Sequence, residues 1–185
     1  MLIRSIALST LSFVLSLGIA SSVSADGLKP NMEKSKIEFV GHKADGKHAG
    51  GFKKFELEAK ADFEDPAKSS LKIVIHADSL WSDADKLTEH LRNEDFFDVK
   101  QHPKITFEST KIEHSKDDGK AKIFGKLKML GKTEEVEIPV DFELTEENVK
   151  VTAKFKLDRT KWGMDYGKGM INDDVDVVAV FVFGR

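Results

Sequence analysis

The chain has 185 residues, 40% of them hydrophobic and 33% charged, and it contains no cysteine. That length fits one domain whose core needs no disulfide or structural metal, and the missing cysteines exclude disulfide frameworks, thiolate metal sites and a catalytic thiol. A formal charge of -3 gives no basic footprint, so nucleic acid is not an expected partner. Thirteen Phe stand against one Tyr and two Trp, an aromatic set with much apolar volume and few hydrogen-bonding handles.

Residues 1–25 read as a secretory leader. Arg4 supplies the positive start, Ile6 to Ala20 is an apolar run, and Val23-Ser24-Ala25 forms a small-residue cleavage site before Asp26. The run is about 15 residues, short of the ~20 needed to span a bilayer. The expectation is therefore an exported protein of the periplasm, without stable membrane insertion, whose domain is residues 26–185. Twelve of the thirteen Phe lie in that domain.

The domain alternates with a period of two, the mark of strands with one buried face. The first run is Lys36-Ile37-Glu38-Phe39. Phe55, Leu57, Ala59 and Ala61 then alternate with Glu56, Glu58 and Lys60, and Leu71, Ile73 and Ile75 continue the pattern. After a break come Ile105 and Phe107, Ala121 to Met129, Val136 to Phe142, Val149 to Leu157, and Val175 to Phe183. Eight strands are predicted. Asp45-Gly46, Gly50-Gly51, Asp65-Pro66, Asp117-Asp118-Gly119, Leu130-Gly131-Lys132 and Glu146-Glu147-Asn148 are turn-forming clusters between them. Such short links favour antiparallel neighbours.

One stretch departs from the alternation. From Ser82 to Asn93, Leu87 and Leu91 lie four apart, with Asp83 and Asp85 near the start and Arg92 near the end. This predicts a short capped helix whose charges suit its dipole. The fold class is thus all-β: eight antiparallel strands forming a closed barrel or sandwich, with one short helix after the third strand. Closure removes exposed strand edges, and an eight-stranded interior is either filled by side chains or open for one small ligand.

Patterns for catalysis and metal binding are weak. The six His (42, 48, 76, 90, 102 and 114) show no ligand spacing of the H-E-x-x-H kind, and no G-x-S-x-G or phosphate loop is present. His90 reads as a cap on local backbone. Asp173, Asp174 and Asp176 read as a solvated rim, and the Lys of the strands from Lys122 to Lys128 and from Lys150 to Lys156 as a solvated outer face. No catalytic residue, metal or cofactor is expected.

The string His90-Leu91-Arg92-Asn93-Glu94-Asp95-Phe96-Phe97-Asp98-Val99, followed by His102-Pro103-Lys104-Ile105-Thr106-Phe107-Glu108-Ser109-Thr110, closely resembles the YceI-like family of secreted, lipocalin-like, polyisoprenoid-binding bacterial proteins. Ser35 to Phe39 with His42 resembles its opening strand, and Gly50-Gly51-Phe52 with Phe55 its second. Gly125 to Val136 resembles its central hairpin, and Arg159 with Trp162-Gly163-Met164, then Asp173-Asp174-Val175, its close. The chain departs from the family pattern just before the His-Leu pair, where Thr88 and Glu89 replace an acidic residue and Gly.

The resemblance implies an extended eight-stranded antiparallel lipocalin-like barrel whose apolar tunnel holds one amphiphile, its head group near a mouth. The expected lining is Phe39, Phe55, Ile73, Leu91, Phe96, Phe107, Ile123, Phe142, Phe155, Trp162, Met164 and Phe181, each of which also reads as ordinary core. His42 is the expected polar contact, and Arg159, with Lys161, the cation to test against a phosphate head group. The function expected is a binding or carrier protein for an isoprenoid or similar lipid, linked to transport, storage or stress response, with a homodimer weighed beside the monomer. An enzyme acting on a lipid or quinone in the same cavity, through His42 or Asp165, is the alternative. A solid barrel serving only as an interaction module is the third reading.

Overall fold

A run such as Val149-Lys150-Val151-Thr152-Ala153-Lys154-Phe155 can bury its apolar set and solvate the rest only as a strand, because a period of 3.6 would mix the two sets. The computed structural model describes residues 28–62, 65, 68–115 and 119–184. Its strands are β1 (Lys29–Pro30), β2 (Lys36–Lys43), β3 (Gly46–Phe52), β4 (Phe55–Lys60), β5 (Ser70–His76), β6 (Leu80–Ser82), β7 (Lys104–His114), β8 (Lys120–Met129), β9 (Lys132–Leu144), β10 (Asn148–Asp158) and β11 (Asp174–Gly184). One helix, α1 (Asp85–Arg92), follows β6. The leader at residues 1–25 lies outside the described residues, as do parts of the turns at 65–66 and 117–119. Among the described residues no helix is long and apolar enough to cross a membrane.

Every strand pairing is antiparallel, along the path β4-β5-β7-β8-β9-β10-β11-β2-β3-β6. The two ends of this path meet. β4 follows β3 after only Lys53 and Lys54, and β6 follows β5 after a single 3-10 turn at Ala77–Ser79. Strands β3 and β4 are therefore two halves of one bent strand, and β5 and β6 two halves of its partner. Counted so, eight main strands close an all-β barrel, with α1 after the third. Ser79 holds the double bend: its hydroxyl accepts the Lys54 N–H at 3.0 Å and donates to the His76 carbonyl at 2.6 Å. Beside β4, β1 pairs with the end of β11, and Leu28 bridges to Ala59, so the exposed edge there is covered.

Two local expectations are corrected. Gly50-Gly51 is not a turn; both glycines lie inside β3, paired with Phe39 and Glu38 of β2. They serve close approach: a Cβ on Gly50 would sit 2.5 Å from the Phe39 ring, and one on Gly51 2.5 Å from the Ile37 carbonyl oxygen. With glycine at 46, 50 and 51, β3 shows no apolar/polar alternation in the sequence. The helix, second, starts at Asp85 on an Ala84 N-cap that makes no side-chain cap bond. Asp83 instead faces β3, accepting the Ala49 N–H at 2.9 Å and pairing with His48 at 2.8 Å. The Ala49 amide and then His48 hold its carboxyl below the usual aspartate range.

The outer face carries the cross-strand charges. Lys122 meets Glu137 at 2.6 Å and Lys150 meets Glu143 at 2.9 Å; the Glu137 carboxylate holds the Lys122 ammonium above its ordinary value. The inner face is apolar throughout, and one connected core cluster runs from Ile37 to Phe183.

Candidate functional site

The inward positions of β10 and β11 show where the interior is solid and where it is open. Val175, Val177, Ala179 and Phe181 of β11 line a cavity of about 250 Å3, as do Leu157, Phe155, Ala153 and Val151 of β10. The next inward residue on each strand, Phe183 (2% exposed) and Val149 (4%), is fully packed and off the wall. The space is thus a tunnel open toward one end of the barrel and closed at the other. Leu57 and Ala121 are buried and off the wall as well.

Small residues keep the tunnel open at mid-depth. Ala153 and Ala179 are register partners, so two methyl groups face the space where larger side chains would fill it. On the opposite wall Gly125 of β8 makes room for the Phe107 ring, which lies 2.5 Å from where its Cβ would be. The remaining wall comes from Ile73 and Ile75 of β5, Ile105 and Phe107 of β7, Ile123, Leu127 and Met129 of β8, and Ile138 and Val140 of β9.

Of the lining residues with polar side chains, His42, Lys43 and His48 of the β2–β3 hairpin and Arg159 stand at the mouth; Glu38, paired with Val178 at mid-depth, accepts from Lys36 with its carboxylate at 2.7 Å, and both side chains reach solvent. Helix α1 and its following segment complete the rim with Leu87, Leu91, Phe96 and Phe97. Phe97 packs edge-on to Phe52 at 5.6 Å and tilted to Phe39 at 6.3 Å. The loop after β10 forms the other side through Met164 and Ile171, with Tyr166 held against His90 (4.9 Å) and Phe96 (5.2 Å).

The rim residues His42, Lys43, His48 and Arg159 each have a polar partner. His42 Nε2 lies 2.8 Å from the Asp176 carboxylate, Lys43 3.3 Å from Asp45, and His48 2.8 Å from Asp83. Arg159, only 3% exposed, donates to the carbonyls of Met164 (2.5 Å), Asn172 (3.1 Å) and Ile171 (3.4 Å) and lies 3.9 Å from Asp173. Asp158, Asp173, Asp174 and Asp176 border the same end, around a shallow recess that also contains Lys156. The Asp158 carboxylate accepts from the Thr160 hydroxyl at 2.6 Å and amide at 3.0 Å, and these bonds hold it below the usual aspartate range. The mouth therefore joins an apolar rim to a net-acidic polar side most of whose groups are paired with one another.

The structure places the expected residues as follows. Phe39, His42, Ile73, Leu91, Phe96, Phe107, Ile123, Phe155, Arg159, Met164 and Phe181 lie on the tunnel wall. Phe55, Phe142 and Trp162 do not, and this corrects their assignment. Phe55 is inward-facing, but its ring packs on Phe181 at 6.2 Å. Phe142 sits half-buried, stacked on His114 at 6.0 Å. Trp162 is 1% exposed, and its indole N–H donates to the Leu127 carbonyl at 3.0 Å, so it fastens the turn after β10 onto β8. Arg159 is also not a free cation awaiting an anion; three carbonyls and Asp173 take it up as the tie of the mouth loop. His90 caps no backbone with its side chain: its Nε2 meets Asp95 at 2.8 Å. Asp165 is exposed and off the wall. Reading for bulk missed Ala153, Ala179, Val175 and Val177, although their strand phase was the signal; Ile171 sits in a loop without periodicity.

The YceI-like domain profile matches residues 29–183. A UPF0312 protein of Pseudomonas putida strain F1 is 34% identical over 96 residues, which are 52% of this chain and 47% of that protein. A UPF0312 protein of Pseudomonas aeruginosa strain PAO1 is 33% identical over 89 residues, 48% of this chain and 46% of that one. The chain thus spans about half the length of the curated relatives it matches. Among solved structures, Burkholderia cenocepacia BcnA superposes with a TM-score of 0.78 at 25% identity, covering 83% of this chain and 99% of its own. Two further structures share the fold. A Campylobacter jejuni YCEI protein gives 0.67 at 20% identity, covering 74% and 84% of the two chains. A polyisoprenoid binding domain from Saccharophagus degradans gives 0.64 at 14%, covering 86% and 97%. With the profile matched across nearly the whole barrel, the chain belongs to the YceI-like family.

Proposed function

We propose that this protein is a periplasmic binding protein that holds the tail of an isoprenoid or similar amphiphilic lipid in its barrel, in the service of lipid or quinone transport, storage or stress response. One observation carries the reading: an open tunnel of about 250 Å3 inside an otherwise packed barrel, walled by the apolar inward side chains of its strands. Burying apolar surface is favourable by about 25 cal/mol per Å2, so such a slot retains a water-insoluble tail without covalent chemistry. The polyisoprenoid binding domain that shares the fold supports this class of ligand. The leader-like segment at residues 1–25 supports export.

Binding is favoured over catalysis by the placement of His42. It stands at the mouth against Asp176 rather than deep beside a tail, and Asp165, the other group weighed for catalysis, is off the wall. The acidic mouth suits an uncharged polar head, such as an alcohol, quinone or amide, better than a phosphate, which would meet four aspartates against the single Lys156 of that recess. The test is native mass spectrometry of protein purified from its own periplasm, followed by organic extraction. A single lipid-sized adduct that leaves unaltered supports the proposal. Protein that carries no adduct and takes up none when offered prenyl alcohols contradicts it, and a chemically changed extract points to the enzyme.

A further inference from the structure

The closed end of the tunnel has a consequence for the size of the tail, which rests on the binding function proposed above. Along β11 the wall runs from Val175 at the mouth to Phe181, and Phe183 lies beyond it, off the wall and 2% exposed. Along β10 it runs from Leu157 to Val151, and Val149 lies beyond. Both stretches are six residue steps, about 20 Å at ~3.3 Å per residue. Barrel strands tilt about 40° from the axis, which leaves a depth of about 15 Å. A carbon chain with bonds of about 1.5 Å at tetrahedral angles advances about 1.25 Å per bond. The tunnel then takes about 12 to 16 main-chain carbons, or about three to four isoprene units of four such carbons each.

We propose that the tunnel is a length ruler: Phe181 and Phe183 set the floor on which the tail end rests, and the Ala153–Ala179 pair keeps open the mid-depth stretch it must pass. Ala179, Phe181 and Phe183 follow one another in the inward phase of β11, with Ala153 beside Ala179 on β10, so the two features act on one path. The floor is rigid because Phe181 is itself backed by Phe55 at 6.2 Å. A longer tail must either fold back or push its excess carbons past the rim of Leu87, Leu91, Phe96 and Phe97 into solvent, where no apolar burial is gained.

The experiment uses dansylamides with straight alkyl tails from about 8 to about 24 carbons, titrated into the delipidated protein, which holds head group constant and varies length alone. The affinity should tighten by roughly fourfold per methylene while the added carbon is buried, then stop tightening between about 12 and 16 carbons. Ala153→Leu should move that break down to about 8 carbons, since only about four residue steps then separate the mouth from the obstruction. Phe181→Ala should move it up; if that variant does not fold, Ala153→Leu alone decides. Affinity that keeps rising to the longest tail, or a break that Ala153→Leu leaves in place, overturns the ruler while leaving the binding function standing. Failure to bind any tail overturns both.

Discussion

The two ends of the barrel are made from the same strands and do opposite things. At the closed end, Phe183, Val149 and Leu57 interdigitate below a tenth exposure and leave no space. At the mouth, the continuation of those strands is held by hydrogen bonds and ion pairs: Arg159 to three carbonyls, Asp158 to Thr160, His42 to Asp176, His48 to Asp83. Packing fixes one end and polar ties the other, so stability and ligand access fall on different residues. A protein that must stay folded while admitting a guest benefits from that division, because the polar ties can be rearranged at the mouth without opening the core.

Substitutions separate the two ends by the size of their effects. Phe183→Ala, at the closed end, should cost about 3–5 kcal/mol in chemical denaturation, since the barrel cannot collapse into the hole. A loss below about 1 kcal/mol would mean that this end is not solid. Arg159→Leu, at the mouth, should cost about 2–3 kcal/mol, because it leaves the Met164, Ile171 and Asn172 carbonyls without their donor. Limited proteolysis should then cut first between residues 163 and 173; cutting elsewhere would deny Arg159 its tying role.

Acid should act on the mouth before the closed end. Asp158, held below the ordinary range by the Thr160 hydroxyl and amide, and Asp83, held there by the Ala49 amide and then His48, both favour the folded state when ionised. Their contribution is fully present above the unfolded aspartate value of about 3.9 and is lost as pH falls through the lower folded values. Amide protection at Ala49 and Thr160 should therefore drop as pH falls below the unfolded aspartate value of about 3.9, while that of Phe183 holds. Equal loss at all three would remove the distinction. The smallest effect belongs to the rim: Met170→Ala, at a residue 72% exposed, should change stability by no more than about 0.5 kcal/mol.

Much of this was legible in the sequence, and the residues show why. The inward phase of β10 and β11 follows directly from alternation, and the all-β barrel with its helix after the third strand is as expected. What periodicity could not carry was β3, whose Gly50 and Gly51 are strand residues chosen for close approach to Phe39 and Ile37. It also could not separate wall from filler. Phe55, Phe142 and Phe181 look alike in sequence, yet only Phe181 meets the tunnel; the difference lies in ring contacts between strands far apart in the chain. Bulk drew attention to Phe and Trp, whereas the openness of the site comes from two alanines. The role of Arg159 was hidden because its partners are backbone carbonyls, which no side-chain pattern announces.

The central claim is that the space in front of the Ala153–Ala179 pair is where a lipid tail lies. Ala179→Phe places a ring in that space and leaves the mouth and the outer face as they are. Titrating a fluorescent fatty amide into wild-type and variant protein, with circular dichroism to establish that both are folded, tests the claim directly. The account predicts saturable binding to the wild type and at least tenfold weaker binding to the folded variant. Equal binding by the two would place the lipid elsewhere and contradict it.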